Sequence, residues 1–170
     1  MAMPRTLKNF NLFNDGESYM GVAEEIKLPK LTRKTDDYRG GGMSGPVAVD
    51  LGQEKIELEM TLAGLMRQVF AQYGTTKADG VMLRFAGAYQ RDDTAEVNAV
   101  EVVVRGRHTE IDPDNAKAGE RGKLTVKSAL TYYKLSIDGD VVIEIDLLNM
   151  VETVNGVDML AEQRKAIGLA

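Results

Sequence analysis

Between Lys55 and Leu62 the chain alternates without a break. Ile56, Leu58, Met60 and Leu62 fall on one side, and Lys55, Glu57, Glu59 and Thr61 on the other. Successive side chains of a strand point to opposite faces, so a period of two describes a strand with one buried and one wetted face. The pattern recurs along the chain. Val81, Leu83, Phe85 and Tyr89 share a side of the segment 81–90, and Val100, Val102 and Val104 oppose Glu101, Arg105 and Arg107 in 99–108. A long segment, 123–136, sets Leu124, Val126, Leu130 and Tyr132 against Lys123, Thr125, Lys127 and Thr131. Asp138-Gly139 separates it from 141–147, and an Asp-Gly pair between alternating runs predicts a hairpin, because a type I′ turn needs φ > 0 at both central residues. The expected fold is mainly β (α+β), an antiparallel sandwich or barrel-like domain.

Two segments read as helices. Leu65, Met66, Val69, Phe70 and Tyr73 recur at helical spacing, which predicts a flanking helix with a core-facing stripe, ended by Gly74. Val157, Leu160, Ala161 and Ile167 predict a short C-terminal helix with Asn155 as cap and Gly168 as stop. The segment 28–51 shows no periodicity, and an extended loop is expected there; unstructured stretches of that length in a small domain are usually functional. It is also basic. Lys27, Lys30, Arg33, Lys34 and Arg39 face only Asp36 and Asp37, a balance of +3 over 27–39. Residues 138–162 hold seven acids (Asp138, Asp140, Glu144, Asp146, Glu152, Asp158, Glu162) and no Lys or Arg. A chain with both features could pair with copies of itself.

Composition removes whole classes of chemistry. The chain has 170 residues, suited to a single domain spanning 1–170. With no Cys, disulfides and thiolate sites are excluded, and one His makes a His-based zinc site untenable. No apolar run reaches the ~18 residues of a membrane span, so no membrane anchor is expected. Lys and Arg number 21 against 26 acids, a net charge of −5 that argues against gripping nucleic acid.

The remaining catalytic candidates have ordinary readings. His108 would need Ser128 or Ser136 for a triad, but no nucleophile elbow surrounds either, and a solvated strand-end His is expected. Gly40-Gly41-Gly42 with Gly45 lacks the Lys-Ser/Thr and following helix of a phosphate loop. Asp112-Pro113-Asp114-Asn115 lacks the ligand spacing of a calcium loop and reads as a turn. Glu54, Glu57 and Glu59 could pair as catalytic carboxylates, with Glu57 and Glu59 about 7 Å apart by strand rise. Both lie on the polar face of an amphipathic strand. No enzyme activity and no cofactor are expected.

The loop motifs carry a resemblance. Asn11-Leu12-Phe13-Asn14-Asp15-Gly16 followed by Leu28-Pro29-Lys30-Leu31 resembles the opening of the major tail tube proteins of contractile-tailed phages and R-type pyocins. So does Lys34-Thr35-Asp36-Asp37-Tyr38-Arg39-Gly40-Gly41-Gly42-Met43 leading to Pro46-Val47. Arg105-Gly106, Asp112-Pro113, Lys117-Ala118-Gly119-Glu120, Tyr132-Tyr133-Lys134-Leu135 and Asn155-Gly156-Val157-Asp158 follow in the same order. The likeness covers nearly the whole chain; Asp146-Leu147-Leu148-Asn149-Met150 departs from it, where Pro and Gly are expected.

The resemblance implies homohexameric rings that stack into a hollow tube, a surrounding tail sheath, and tape-measure and baseplate proteins as further partners. DNA would be met only transiently in the lumen, and the protein would reside in a virion or bacteriocin particle assembled in the host cytoplasm. The 28–51 loop, with Lys30, Arg33, Lys34, Tyr38, Arg39, Gly41 and Met43, is then expected to join rings or subunits. Lys55, Glu57, Glu59, Glu101, Lys123 and Lys127 are lumen candidates, on a wall expected to be predominantly acidic. Asp138, Asp140, Glu144 and Asp146 are expected at an acidic interface. The alternative is a monomeric β-sandwich that binds a ligand with its Gly-rich loop.

Overall fold

Two long strands organise everything else in the computed structural model, which describes residues 2–169. They are β8 (Val97–Asp112) and β9 (Lys123–Ile137), of 16 and 15 residues. One edge of β8 continues through β7 (Val81–Arg91) to β1 (Arg5–Asn14) and the two-residue β2 (Glu17–Ser18). The far edge of β9 forks. Its first half pairs with β6 (Ile56–Ala63), from Ala63↔Lys123 to Ile56↔Leu130, and β6 in turn holds β3 (Ala23–Lys27). Its second half pairs with β10 (Asp140–Asp146), followed by β11 (Val151–Val154) and β12 (Val157–Asp158). All of these pairings are antiparallel.

The fork lies at a bulge. Arg105 pairs with Tyr132 and Gly106 with Leu130, so Thr131 is the extra residue. A one-residue insertion reverses which side chains face inward. Leu124, Val126 and Leu130 are buried before it, and Tyr133 after it. Tyr132, expected with the apolar set, instead turns outward and donates its hydroxyl to a Glu144 carboxylate oxygen at 2.8 Å. The insertion is invisible to a strict period of two.

The inward faces of β1, β6, β7, β8 and β9 enclose one core. Leu12, Ile56, Met60, Leu62, Leu124 and Val126 are fully buried within it. The turn 19–22 bridges its open side: Tyr19 N–H donates to Leu12 O at 2.7 Å, and Ala63 N–H to Val22 O at 2.8 Å. The sheet therefore curls barrel-like around its core, as the alternation predicts.

Three expectations need correction. The segment 28–51 is not an extended loop: β4 (Arg33–Tyr38) and β5 (Val47–Gln53) form a separate two-stranded antiparallel hairpin. Its Val47, Val49 and Leu51 do alternate, but a polar partner strand and a Gly-rich tip hide the signal. The flanking helix α1 (Arg67–Gln72) buries only Val69, while Leu65, Phe70 and Tyr73 are 71, 43 and 62% exposed. Gly74 follows it with φ +80°, as expected. Asn155 does not cap a helix; with Gly156 (φ +50° and +80°) it turns β11 into β12, and Leu160 precedes the short α2 (Ala161–Ala166). Asp138-Gly139 makes the predicted turn, with φ +51° and +85°.

Gly106 is demanded by the bulge. A Cβ there would lie 2.1 Å from Ala129 O and 2.8 Å from Leu130 Cα, both backbone atoms that cannot step aside. Gly106→Ala should therefore cost about 3 kcal/mol, the upper end for overpacking, in urea unfolding. Gly41→Ala, where nothing lies within 4 Å, should stay within about 0.5 kcal/mol of the parent. Equal midpoints for the two variants would refute this account of the bulge.

Candidate assembly interface

The β4–β5 hairpin stands apart from the core. Every residue of β4 is exposed, as are residues 47–51 of β5. Tyr38 is opposite Val47 and Asp36 opposite Val49, so Tyr38, Val47 and Val49 share one face. They are 60, 55 and 44% exposed. The base is fastened. Glu54 N–H donates to Thr32 O at 2.8 Å, and Arg33 Nε donates to both Asp50 oxygens at 3.1 and 3.0 Å. The same guanidinium reaches Glu152 on β11. At the tip Arg39 Nε donates to Met43 O at 3.1 Å, and Gly41 lies in open space. A two-stranded hairpin is at best marginally stable in water, so an apolar face without cover calls for a partner.

Glu57, Glu59, Lys123 and Lys127 lie on the outward face of β6 and β9, beside Lys55, and Glu101 lies on the same face of β8. The charges there pair across strands. Glu59 is in register between Lys27 and Lys127, Lys127 Nζ is 3.3 Å from Glu110, and Arg84 is 3.2 Å from Glu101. Lys55 Nζ sits 2.9 Å from Glu57, and that hydrogen bond holds the Glu57 carboxyl below its ordinary value. This face is mixed rather than acid-dominated, because each strand that supplies a Glu adjoins one that supplies a Lys or Arg. The paired-carboxylate reading fails on the same ground, since Glu57 is paired with Lys55 and Glu59 lies in register between Lys27 and Lys127.

The acidic candidates are built into the lobe of β10, β11, β12 and α2. Asp138 accepts from Asn98 Nδ2 at 2.6 Å and Ala99 N–H at 2.9 Å, which lowers its carboxyl. Glu144 accepts from Tyr132, Asp146 caps the turn through Leu148 and Asn149 N–H, and Asp140 is exposed at the start of β10. Met150 closes that turn at φ +54°, within the segment where the resemblance leads one to expect Pro and Gly.

His108 is corrected outright. It is buried, 5% exposed, rather than a solvated strand end. Its Nε2 faces Gln72 Oε1 at 2.9 Å; an amide oxygen only accepts, so Nε2 carries the proton and Nδ1 accepts from Ser128 Oγ at 2.8 Å. Gln72 and Asn14 exchange amide hydrogen bonds of 2.6 and 2.9 Å, and Tyr19 donates to Gln68 Oε1 at 2.7 Å. Burial raises the Tyr19 hydroxyl to about 12. This network fastens α1 to β1 and β8, and it was not foreseen; its only trace is an i,i+4 Gln pair on a short helix. The Ser-His contact is closed inside the core, where no substrate reaches it. Asp114 N–H bonds Asp112 Oδ1 at 2.9 Å, the expected turn. Among the described residues no group of three or more His, Asp or Glu is placed to hold a metal, and no helix is long and apolar enough to cross a membrane.

Comparison with known proteins gives a consistent result. The family described as Phage tail tube protein FII matches residues 4–168. The chain is 50% identical over 172 residues to the tail tube protein of Escherichia phage P2, covering 99% of this chain and all of that protein. It is 41% identical to the major tail tube protein of Serratia phage KSP20, over 99% of each. Among solved structures it resembles a chain of the PVC extracellular contractile injection system sheath-tube complex, with a TM-score of 0.58 at 9% identity, covering 78% of this chain and 91% of that one. The tube-terminating cap of the anti-feeding prophage gives 0.59 at 11%, covering 80 and 93%. The last two speak for the fold alone.

The His108 network generates a pH dependence. Burial lowers the imidazole's affinity for a proton, so the fold keeps it neutral. The unfolded chain takes up that proton near the ordinary value of about 6.5. Stability should therefore fall as pH drops below about 6.5, and level off once the depressed native value is passed. His108→Gln should lower stability at pH 7 and flatten the slope between pH 6.5 and 5 in urea titrations. An unchanged slope in that variant would overturn this assignment.

Proposed function

The chain belongs to the phage tail tube protein FII family, and from that premise we propose that it is the repeating subunit of the inner tube of a contractile tail. Its relatives are structural proteins, and the chain is not an enzyme. Copies close into hexameric rings, the rings stack, and the hollow column conducts DNA or punctures an envelope inside a contractile sheath. Tape-measure and baseplate proteins bound its length and its lower end. The particle is a virion tail or a headless bacteriocin, put together in the host cytoplasm.

The observation that carries this reading is the hairpin. An exposed hairpin with one apolar strand has no use in a monomer and costs ordering entropy there, whereas a neighbouring copy can cover it. The edge of β1, which β2 covers only at Phe13 and Asn14, supports the same reading, because an uncovered strand edge is a template for another chain. A mixed-charge sheet face suits a conduit wall, since DNA phosphates bind Lys and Arg by releasing counterions and a cation-rich wall would hold the genome. The ligand-binding alternative gains nothing from the Gly-rich tip, where Gly41 and Gly42 face open space.

Deleting residues 36–45 should leave a folded subunit, because the core lies outside 29–55. Circular dichroism should be retained while electron microscopy shows no tubes. Normal tubes from the deletion would refute the role of the hairpin, and loss of the fold would refute its independence from the core.

A further inference from the structure

We propose that Asn155-Gly156, the turn between β11 and β12, is a self-modification site: the Gly156 nitrogen displaces the Asn155 side-chain amide, and the chain ends with aspartate or isoaspartate at 155. The proposal is independent of the tube reading.

The reaction needs no reagent beyond water. Gly156 N gives its proton to solvent base, and its bond to Asn155 Cγ forms as the Cγ–Nδ2 bond breaks and ammonia leaves. The product is a five-membered imide, which water opens at either carbonyl. One opening gives an ordinary aspartyl residue. The other routes the main chain through the side-chain carbon, as isoaspartyl.

The structure selects this position over its analogues. Asn155 is the one Asn that Gly follows. Both residues are exposed, at φ +50° and +80°. Among the described residues, neither the Asn155 side chain nor the Gly156 N–H is engaged in a hydrogen bond. A Cβ at 156 would meet nothing within 4 Å, so nothing crowds the attacking nitrogen. The Asp-Gly pairs are held. The Asp15 carboxylate accepts from Met82 N–H at 3.1 Å and Gln72 Nε2 at 2.8 Å. That of Asp138 accepts from Asn98 and Ala99, and Gly80 N–H donates to Lys77 O at 3.1 Å.

Bringing the nitrogen onto Cγ requires rotation about Asn155 ψ, which moves the chain after it. Upstream, Asn155 N–H is anchored on Val142 O at 2.7 Å. Downstream, β12 offers only the pairs Val154↔Val157 and Thr153↔Asp158, extended by Met159 N–H to Glu152 O at 2.8 Å. So short a pairing opens locally at low cost. Arg164 is its clamp: Nη1 donates to Met150 O at 2.8 Å, and the guanidinium pairs with Asp158. The product adds one negative charge beside residues 138–162, which hold seven acids and no Lys or Arg. Isoaspartate also lengthens a two-residue loop whose length sets the register of β11 and β12.

The test holds the purified protein in mildly alkaline buffer at physiological temperature for weeks, with circular dichroism confirming that it stays folded. Cleavage after Glu releases 153–162, in which Asn155 is the sole Asn or Gln. That peptide should show the amide-to-acid mass gain about tenfold faster than peptides with any other Asn, because there alone a residue without Cβ follows. An isoaspartyl methyltransferase should transfer labelled methyl to it. Arg164→Ala and, separately, Asp158→Ser should each raise the rate about two- to fivefold, the factor that losing one exposed ion pair gives a local opening. No gain at 155, or a gain equal to that of the other Asn peptides, would overturn the site. Acid without methyl-accepting isoaspartate would overturn the displacement by Gly156. Parental rates in both variants would overturn the role of Arg164.

Discussion

The approach of β8 to β9 at Gly106 constrains the rest of the molecule. A long ribbon of uniform alternation would present one flat apolar face. The insertion of Thr131 opposite the Arg105–Gly106 step reverses the inward set of β9 halfway along its length. That reversal lets two different partners share the same edge, β6 below and β10 above. The barrel-like core forms on one arm and the acidic lobe on the other. Gly is required because the ribbon is closest where it bends, and the site is occupied by Ala129 O on the opposite strand.

A second constraint is how the flanking helix is held. Six residues bury one Val, far too little apolar area to keep a helix in place. Amides do the holding instead. Gln68 and Gln72 meet Asn14, Tyr19 and His108, and each buried polar atom that they bring in finds a partner. Unmet buried polar groups cost about 1–3 kcal/mol each, so the network is specific to one placement of the helix. Because its attachment is polar, its Phe70 and the flanking Leu65 and Tyr73 remain outside.

Strands with one buried and one wetted face announce themselves, and β6, β7, β8 and β9 were all legible from alternation. So was the Asp138-Gly139 turn, whose chemistry admits few other conformations. The two-residue-period reading failed at Tyr132 and Tyr133, where a bulge shifts phase without altering composition. It also failed at β4 and β5, which have no buried face to mark. The helix spacing was correct, but spacing does not say which side of an amphipathic segment meets the core. His108 was misread because the Arg residues beside it point the other way, to the outward face of β8. The loop motifs carried the family; the placement of the charged candidates needed coordinates, since cross-strand register decides which Lys meets which Glu.

The exposure of the hairpin has a consequence in time. Two strands without a covering surface are at best marginally stable in water, and any ordering they still need is a cost borne at each first encounter. A growing end that already presents an ordered surface to the hairpin would lower that cost for the next arrival; two free subunits would have no such help. In a polymer built through this hairpin, starting is slow and extension is fast. Free protein would accumulate quietly until a template appears, and the place of the template would decide where a column begins.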